Sequence, residues 1–232
     1  MKNLENYLEN LNVLYEDNHL IVVEKHINVL SQADITGDLD MLTIIKEYLK
    51  RKYQKPGNVY LGLVHRLDRM TGGVMVFAKT SKAASRLSAS IRENNWEKRY
   101  LAVVLGNLKT THGFQELRHR MTKDEKMVKS YLDQKGKEAL LLYRSLGSKD
   151  NNSLIDVILK TGRHHQIRLQ MSSIGYPLLG DTLYGGPRGN LALYSYQLSI
   201  IHPTTKEYLT FISKPKGYPW DLFQQEIDEH LK

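Results

Sequence analysis

The sequence contains no cysteine, which excludes disulfides, thiol catalysis, iron–sulfur clusters and thiolate zinc sites. Long apolar runs are also missing, since no segment approaches the roughly 18 apolar residues that a membrane-spanning helix needs. The N-terminal residues lack the apolar core of a signal peptide. We therefore expect a cytoplasmic protein without a membrane partner.

Acidic residues are fewer than basic ones: 25 Asp and Glu face 33 Lys and Arg, a net charge of +8. Such a balance favours a polyanionic partner, with nucleic acid ahead of an anionic membrane, although many proteins carry this charge without a specific partner. The 232 residues, 41% of them hydrophobic, are enough to bury a full core.

Hydrophobic periodicity predicts an α+β protein in which strands outnumber helices. We predict a helical lead-in over 1–11, a hairpin over 13–25, strands at 74–79, 98–106, 154–159, 191–201 and 207–212, and helices at 38–53, 81–94 and 219–231. Residues 107–135 are polar and basic, with Arg118, His119, Arg120, Lys123, Lys126 and Lys129 close together. We interpret this segment as an RNA-contacting excursion, or alternatively as a mobile surface loop.

Residues 65–73, HRLDRMTGG, place one carboxylate, Asp68, between two arginines just before an apolar strand. The guanidinium groups of Arg66 and Arg69 favour the ionised form of a neighbouring carboxylate. An ionised, positioned carboxylate can act as a nucleophile or a base. A surface ion pair at a strand end is the alternative interpretation.

A second polar cluster, TGRHHQIRLQ, covers residues 161–170 and continues to the glycine-rich residues 175–185. Zinc binding by His164 and His165 is not favoured, because adjacent histidines diverge on a strand or helix and no third ligand has a convincing spacing. We therefore predict no metal site. Lys98 precedes Tyr100 at the entrance of a predicted core strand.

These segments together resemble the motifs of RluA-type RNA pseudouridine synthases. The similar motifs are Y-E-D-x-x-L-I-V-V followed by Lys25, HRLD-x-x-T-S-G, K-x-Y-L-A-x-V-x-G from Lys98, G-K-x-A from Gly136, T-G-R-x-H-Q-I-R from Thr161, and G-x-P-x-x-G-D-x-x-Y-G from Gly175. This chain departs from the pattern at His26, Asn28, Gly72 and Gln170.

The resemblance implies one α+β catalytic domain over 1–232, around a mixed, mainly antiparallel β-sheet. Its core would cover about 12–213 and its C-terminal helix about 219–231. No accessory RNA-binding domain is expected in front of it, and we expect a monomer that needs no cofactor.

The resemblance also implies roles for individual residues. Asp68 would be the nucleophile, Tyr100 would stack on the target base, and Arg168 would form the salt bridge that orients Asp68. Arg66 would fill the space that the base leaves. The predicted RNA- and base-binding residues are His65, Arg66, Arg69, Lys98, Arg163, His165 and Gln166.

Two other functions compete with uridine isomerisation in ribosomal or transfer RNA. One is a non-catalytic RNA-binding protein or chaperone on the same fold. The other is a hydrolase of N-glycosides, which would need a second carboxylate to activate water. Asp181 is the nearest candidate for that carboxylate, although we interpret it as a turn residue.

Overall fold

The computed structural model describes residues 4–111 and 113–232, so the predictions that fall on residues 1–3 and 112 lie outside the described chain. The helices in these ranges are α1 (Leu4–Glu9), α2 (Met41–Lys52), α3 (Ser81–Arg92), α4 (Gln166–Ser173) and α5 (Gln224–His230), with 3₁₀ turns at Thr182–Tyr184 and Trp220–Phe223. The strands are β1 (Val13–Glu16), β2 (Leu20–Lys25), β3 (Gly62–Leu63), β4 (Gly72–Ala78), β5 (Glu97–Leu105), β6 (Gln115–Asp124), β7 (Lys129–Leu132), β8 (Lys137–Lys149), β9 (Asn152–Leu159), β10 (Leu193–Ile201) and β11 (Tyr208–Ile212).

The chain divides into two compact units. The first unit comprises Met1–Trp96 and Gln197–Ser213, and the second comprises Glu97–Tyr196 and Lys214–Lys232. Within each unit the strands pair mainly antiparallel and helices accompany them, which confirms the predicted α+β class. The single domain predicted over 1–232 stays a prediction.

In the first unit, β2 lies between β1 and β4, and both of its pairings are antiparallel. Every residue of β4 is buried, as its unbroken apolar sequence predicts for a strand covered on both faces. Side chains of β2, β4, α3 and β10 form one core, which includes Val22, Val76, Leu87 and Ile200. The register pairs Lys25 with Gly73, so the end of β2 lies beside the start of β4.

Side-chain caps define where α2 and α3 begin. Asp40 accepts hydrogen bonds from the backbone N–H groups of Leu42 (2.9 Å) and Thr43 (3.2 Å), and Thr80 accepts one from Ala83 (3.1 Å). These bonds satisfy amides that have no partner inside a helix. The helices predicted at 38–53 and 81–94 are confirmed with slightly shorter bounds.

In the second unit, the strand order is β5-β9-β8-β6-β7, and each neighbouring pair is antiparallel. Residues 115–124 and 129–132 form β6 and β7, so the interpretation of 107–135 as a mobile surface loop is wrong for these two stretches. Its residues alternate between exposed and partly buried along β6, with Arg118 and Arg120 on the exposed side. A strand whose outer face is charged gives only a weak apolar signal.

At the C-terminus, the helix predicted at 219–231 divides into the 3₁₀ turn Trp220–Phe223 and α5. Trp220, Phe223 and Ile227 are buried in the core of the second unit. The helix α4 has no counterpart among the sequence predictions, because its short span carries polar residues that are nevertheless buried.

The cap of α2 makes a testable contribution to stability. Asp40 accepts two backbone N–H groups and the Thr43 hydroxyl (2.7 Å), whereas Thr80 caps α3 with one bond. We expect Asp40→Ala to lower the free energy of unfolding by about 1–2 kcal/mol, and Thr80→Ala, the matched control, by less. Urea unfolding measures both values, and an equal or smaller loss at Asp40 would contradict the assignment.

Candidate active site

Asp68 lies in a tight turn of the first unit between β3 and β4. The turn closes through a hydrogen bond from the Thr71 amide to the Asp68 carbonyl (3.0 Å). Just before it, Leu67 is held by Ser31, whose hydroxyl donates to the Leu67 carbonyl (2.8 Å) and accepts from the Leu67 amide (3.2 Å). Both ends of the turn are therefore fixed, and Asp68 itself is partly buried.

A buried lysine, Lys25, also supports this turn. The ammonium of Lys25 donates to the carbonyls of Thr71 (2.8 Å), Arg69 (3.0 Å) and His26 (3.1 Å), and the residue has no exposed surface. Burial lowers the pKa of Lys25 from 10.5 to about 7; the Asp68 carboxylate opposes this shift and Arg69 adds to it. The sequence analysis identified Lys25 as a motif match without assigning it a role.

The two arginines beside Asp68 have different surroundings. Arg69 forms an ion pair with Asp38, whereas Arg66 is exposed. His65 accepts a hydrogen bond from the Val76 amide (3.0 Å), and its ring lies 5.2 Å from that of Trp96. Within the first unit, His65 thus has a structural contact, while Arg66 has the solvent access that an RNA contact requires.

One departure from the resembled motif is explained by backbone geometry. Asn28 replaces glycine and has φ of 64°, in the left-handed region that asparagine adopts more readily than most residues. Its amide donates to the Arg69 carbonyl (2.9 Å), which connects this loop to the Asp68 turn. Asn28 can therefore supply the backbone conformation that glycine supplies elsewhere.

The second unit carries the other predicted residues, beginning with β5. Tyr100 lies in that strand, pairs with Val157 of β9, and is 8% exposed. Lys98 is two residues earlier, and burial lowers the pKa of its ammonium. Because alternate residues of a strand share a face, Lys98 and Tyr100 lie on the same side of β5.

The two histidines before α4 do not diverge. His165 has φ of 53°, and this left-handed residue stacks its ring on that of His164 with centroids 3.7 Å apart. The expected divergence of the rings is therefore wrong, because it assumed regular strand or helix geometry. His164 contacts the Ser130 hydroxyl through Nδ1 (3.0 Å), and His165 contacts the Tyr184 hydroxyl (3.1 Å).

Arg168 in α4 forms a two-pronged ion pair with Asp181. Its Nε donates to Oδ2 and its Nη2 to Oδ1, each at 2.7 Å, and both residues are buried. The Tyr184 ring centroid lies 5.2 Å from the guanidinium carbon. The interpretation of Asp181 as a turn residue missed this pair, and both oxygens needed by the hydrolase alternative are bound to Arg168.

The remaining motif residues of α4 connect it to neighbouring strands and loops. Gln166 accepts from the Thr161 hydroxyl (2.8 Å) and the Arg163 amide (3.0 Å), while its buried Nε2 has no hydrogen-bond partner among the described residues. Arg163 is exposed and donates to the Glu138 carbonyl (2.7 Å). Gln170, a further departure, donates to the carbonyls of Leu117 and Ala139.

The basic segment 107–135 presents its cations beside acidic partners. Arg118 pairs with Glu116 and Glu138, and Lys123 pairs with Glu125. Arg120 donates to the Gly136 carbonyl (2.9 Å). A cleft of about 400 Å³ opens between Arg118, Arg120 and Glu138. Because the ion pairs are exposed, an RNA phosphate could compete for these cations at small cost.

Residues 4–111 and 113–232 contain no group of three or more His, Cys, Asp or Glu side chains that could hold a metal ion. None of the helices formed by these residues is both long enough and apolar enough to cross a membrane.

Comparison with known proteins identifies one family. The family described as "RNA pseudouridylate synthase" matches residues 19–173 of this chain. An uncharacterized RNA pseudouridine synthase of Bacillus subtilis is 36% identical, over 87% of this chain and 71% of the relative. The dual-specificity RNA pseudouridine synthase RluA of Haemophilus influenzae is 35% identical, over 91% of this chain and 94% of the relative.

A solved structure agrees at the level of the fold. Human RNA pseudouridylate synthase domain containing 4 has a TM-score of 0.78 to this chain, covering 96% of each, at 20% identity. At that identity the similarity shows a shared fold and carries no residue-level assignment.

The buried Lys25 predicts how stability depends on pH. Between about pH 7 and 10.5 the unfolded chain keeps the Lys25 proton and the folded protein has released it. Folding stability from this residue therefore increases with pH across that window. We compare the free energy of unfolding of the wild type with that of Lys25→Met. We expect the wild-type value to rise relative to the variant value as pH increases from 7. Urea unfolding at several pH values measures this difference.

The control for that titration is Lys82→Met, at an exposed lysine of α3. A difference for Lys25→Met that stays flat or falls above pH 7 would show that this lysine keeps its proton in the folded protein.

Proposed function

The chain belongs to the RNA pseudouridylate synthase family, and we propose that Asp68 is the nucleophile with which it converts a specific uridine of structured RNA to pseudouridine. The substrate class proposed is ribosomal or transfer RNA, bound by a monomer. The name of the Haemophilus influenzae relative gives that protein a dual specificity, so we propose two substrate classes for this chain.

The reaction breaks the bond between ribose carbon 1 and base nitrogen 1, turns the base, and joins carbon 1 to base carbon 5. Carbon 5 loses a proton and nitrogen 1 gains one, so the product is an isomer of the substrate. At ribose carbon 1, the Asp68 carboxylate would displace base nitrogen 1 and would itself be displaced when base carbon 5 bonds to carbon 1. At base carbon 6, it would add to the ring and be eliminated after the new bond forms. Neither route needs an oxidant or a second substrate.

Three further residues are assigned to this chemistry. Tyr100 would stack on the extracted base, and its hydroxyl would relay the proton lost by carbon 5. Arg168 would keep Asp68 ionised and aimed. Arg66, which is exposed in the first unit, would occupy the space that the base vacates. His65, Arg69, Lys98, Arg163, His165 and Gln166 are proposed to bind RNA or the base.

The observation that carries the proposal is the fixed turn around Asp68. Lys25 contributes three hydrogen bonds to the carbonyls around that turn, and Ser31 contributes two to Leu67. A nucleophile must approach its target atom within a narrow range of distance and angle, so rigid support of its backbone favours the reaction. A surface ion pair at a strand end would not need this support.

Asp68→Asn tests the assignment, because it removes the charge at nearly constant shape. We expect pseudouridine formation to fall below detection under single-turnover conditions, while RNA affinity changes little. The matched control is Asp34→Asn, at an exposed carboxylate in the loop before α2, which should keep wild-type turnover.

Turnover by Asp68→Asn at the wild-type rate would refute the nucleophile assignment. A wild-type protein that binds RNA tightly but forms no pseudouridine in any ribosomal or transfer RNA would favour the RNA-chaperone alternative.

The β6–β7 segment generates a separate prediction about RNA affinity. Each phosphate neutralised by Lys or Arg adds about 0.7–0.9 to the slope of log affinity against log salt concentration. The triple variant Arg118→Ala, Arg120→Ala, Lys123→Ala should flatten that slope if these cations contact RNA. Filter binding at several salt concentrations measures it.

The matched triple replaces Arg51, Lys52 and Lys214, which also pair with carboxylates but lie outside the segment. An equal flattening by both triples would assign the effect to net charge. An unchanged slope in the first triple would show that β6 and β7 do not contact RNA.

A further inference from the structure

We infer that Asp181 is a positioning residue, which fixes the direction of the Arg168 guanidinium and through it the aim of the nucleophile. This inference rests on the proposed role of Arg168 toward Asp68. All contacts that support it lie within the second unit of the structure.

The first support is the geometry of the pair. Two parallel hydrogen bonds of 2.7 Å join Arg168 Nε to Asp181 Oδ2 and Arg168 Nη2 to Asp181 Oδ1. A planar fork bound in this way has one orientation, unlike a single ion pair, which can rotate. The side chain of Asp181 is completely buried and that of Arg168 is 10% exposed, so water does not compete for these bonds.

The second support is the rigidity of the loop that carries Asp181. Gly180 has φ of 81°, and a Cβ atom there would lie 2.0 Å from the Asn190 carbonyl oxygen. A Cβ on Gly186 would lie 2.2 Å from the Leu178 carbonyl oxygen, and the Gly186 amide donates to the Asp181 carbonyl (2.7 Å). The backbone is thus closely packed on both sides of Asp181, which restricts where its carboxylate can lie.

The third support is Tyr184, which covers one face of the guanidinium. Its ring centroid lies 5.2 Å from the Arg168 guanidinium carbon. Its hydroxyl accepts a hydrogen bond from the Ser130 amide (2.8 Å), so the ring is anchored to β7. Arg168 is therefore fixed along one edge by Asp181 and across one face by Tyr184.

A chemical consequence follows from the paired charges. The Asp181 carboxylate offsets part of the Arg168 charge at short range, so the direction of the Arg168 N–H groups adds to the effect of its charge on the nucleophile. A directed donor depends on sub-ångström placement, and a misplacement of 1 Å can cost about 100-fold in rate. The supporting residue should then matter for rate without touching the RNA.

Asp181→Asn is the first test, because the amide keeps the shape but can accept only through its single carbonyl oxygen. We expect the single-turnover rate at saturating RNA, per folded molecule, to fall by about 100-fold. The dissociation constant for RNA should change by less than about threefold, since the Asp181 side chain is completely buried. Asp181→Asn with the wild-type rate would overturn the inference.

Asp181→Glu keeps the negative charge but lengthens the side chain by one methylene, so it moves the guanidinium without removing its partner. If Asp181 positions Arg168, the rate of Asp181→Glu should also be reduced. This variant provides the test if Asp181→Asn does not fold. A Glu variant with the wild-type rate would show that charge compensation alone matters, which would also overturn the inference.

A double-mutant cycle with Arg168→Lys separates action through Arg168 from independent action. Lysine has no fork for Asp181 to orient. When the Arg168→Lys substitution is already present, Asp181→Asn should therefore cost less than about threefold in rate, far less than in the wild type. If the rate loss of the double variant equals the product of the two single-variant losses, Asp181 acts independently of Arg168, and the inference is overturned.

Asp156→Asn is the matched control for the loss of a buried carboxylate. Asp156 has no exposed surface and accepts from Arg144 Nε (3.2 Å) and the Tyr196 hydroxyl (3.0 Å). It should lower stability while the rate per folded molecule stays within about threefold of the wild type. An equal loss of rate at Asp156 would assign the Asp181 effect to general disruption.

Failure of the inference can be distinguished from failure of the proposed function. If Asp68→Asn is inactive and Asp181→Asn has the wild-type rate, the nucleophile assignment survives and the positioning role does not. If Asp68→Asn keeps the wild-type rate, the proposed function fails first, whatever Asp181 does.

Discussion

The Asp68 turn depends on the hydrogen bonds that the buried side chain of Lys25 makes. The Lys25 ammonium donates to three carbonyls contributed by two separate segments, residue 26 after β2 and residues 69 and 71 before β4. An ammonium without such partners would be very costly to bury, so the carbonyls and the lysine require one another. The register of β2 against β4, which pairs Lys25 with Gly73, brings them together.

In the second unit, the buried cation with polar partners is an arginine. Arg168 is buried at the start of α4, and Asp181 supplies the opposite charge from a loop in which Gly180 and Gly186 leave no room for a side chain. Buried ion pairs contribute little net stability, because desolvation offsets most of their attraction. The value of this pair is geometric, since its two hydrogen bonds hold the Arg168 guanidinium in one orientation.

At two positions that depart from the family pattern, the local structure accommodates the residue that this chain carries. Asn28 adopts the left-handed backbone that glycine would supply, and Gln170 donates two hydrogen bonds to strand carbonyls of β6 and β8. Both residues make hydrogen bonds to backbone carbonyls of neighbouring segments. Nothing in the structure explains why glycine occupies position 72.

Local sequence patterns were enough to predict those helices and strands whose signals lie within a few neighbouring residues. The unbroken apolar run of β4 and the amphipathic pattern of α3 depend on neighbouring residues, and each predicted element has a counterpart in the structure. The motif resemblance also identified the family, because long ordered motifs rarely agree by chance. The roles of Asp68, Tyr100 and Arg168 within those motifs remain proposals.

Tertiary structure alone decided the contacts between distant residues. The pairing of β6 with β8 buries one face of a segment that looked like a loop, and the partners of Lys25 and Arg168 lie 46 and 13 residues away in sequence. The stacking of His164 on His165 depends on one left-handed residue that no local pattern signalled. Such contacts follow from strand register and loop geometry, which the whole chain sets together and no single segment encodes.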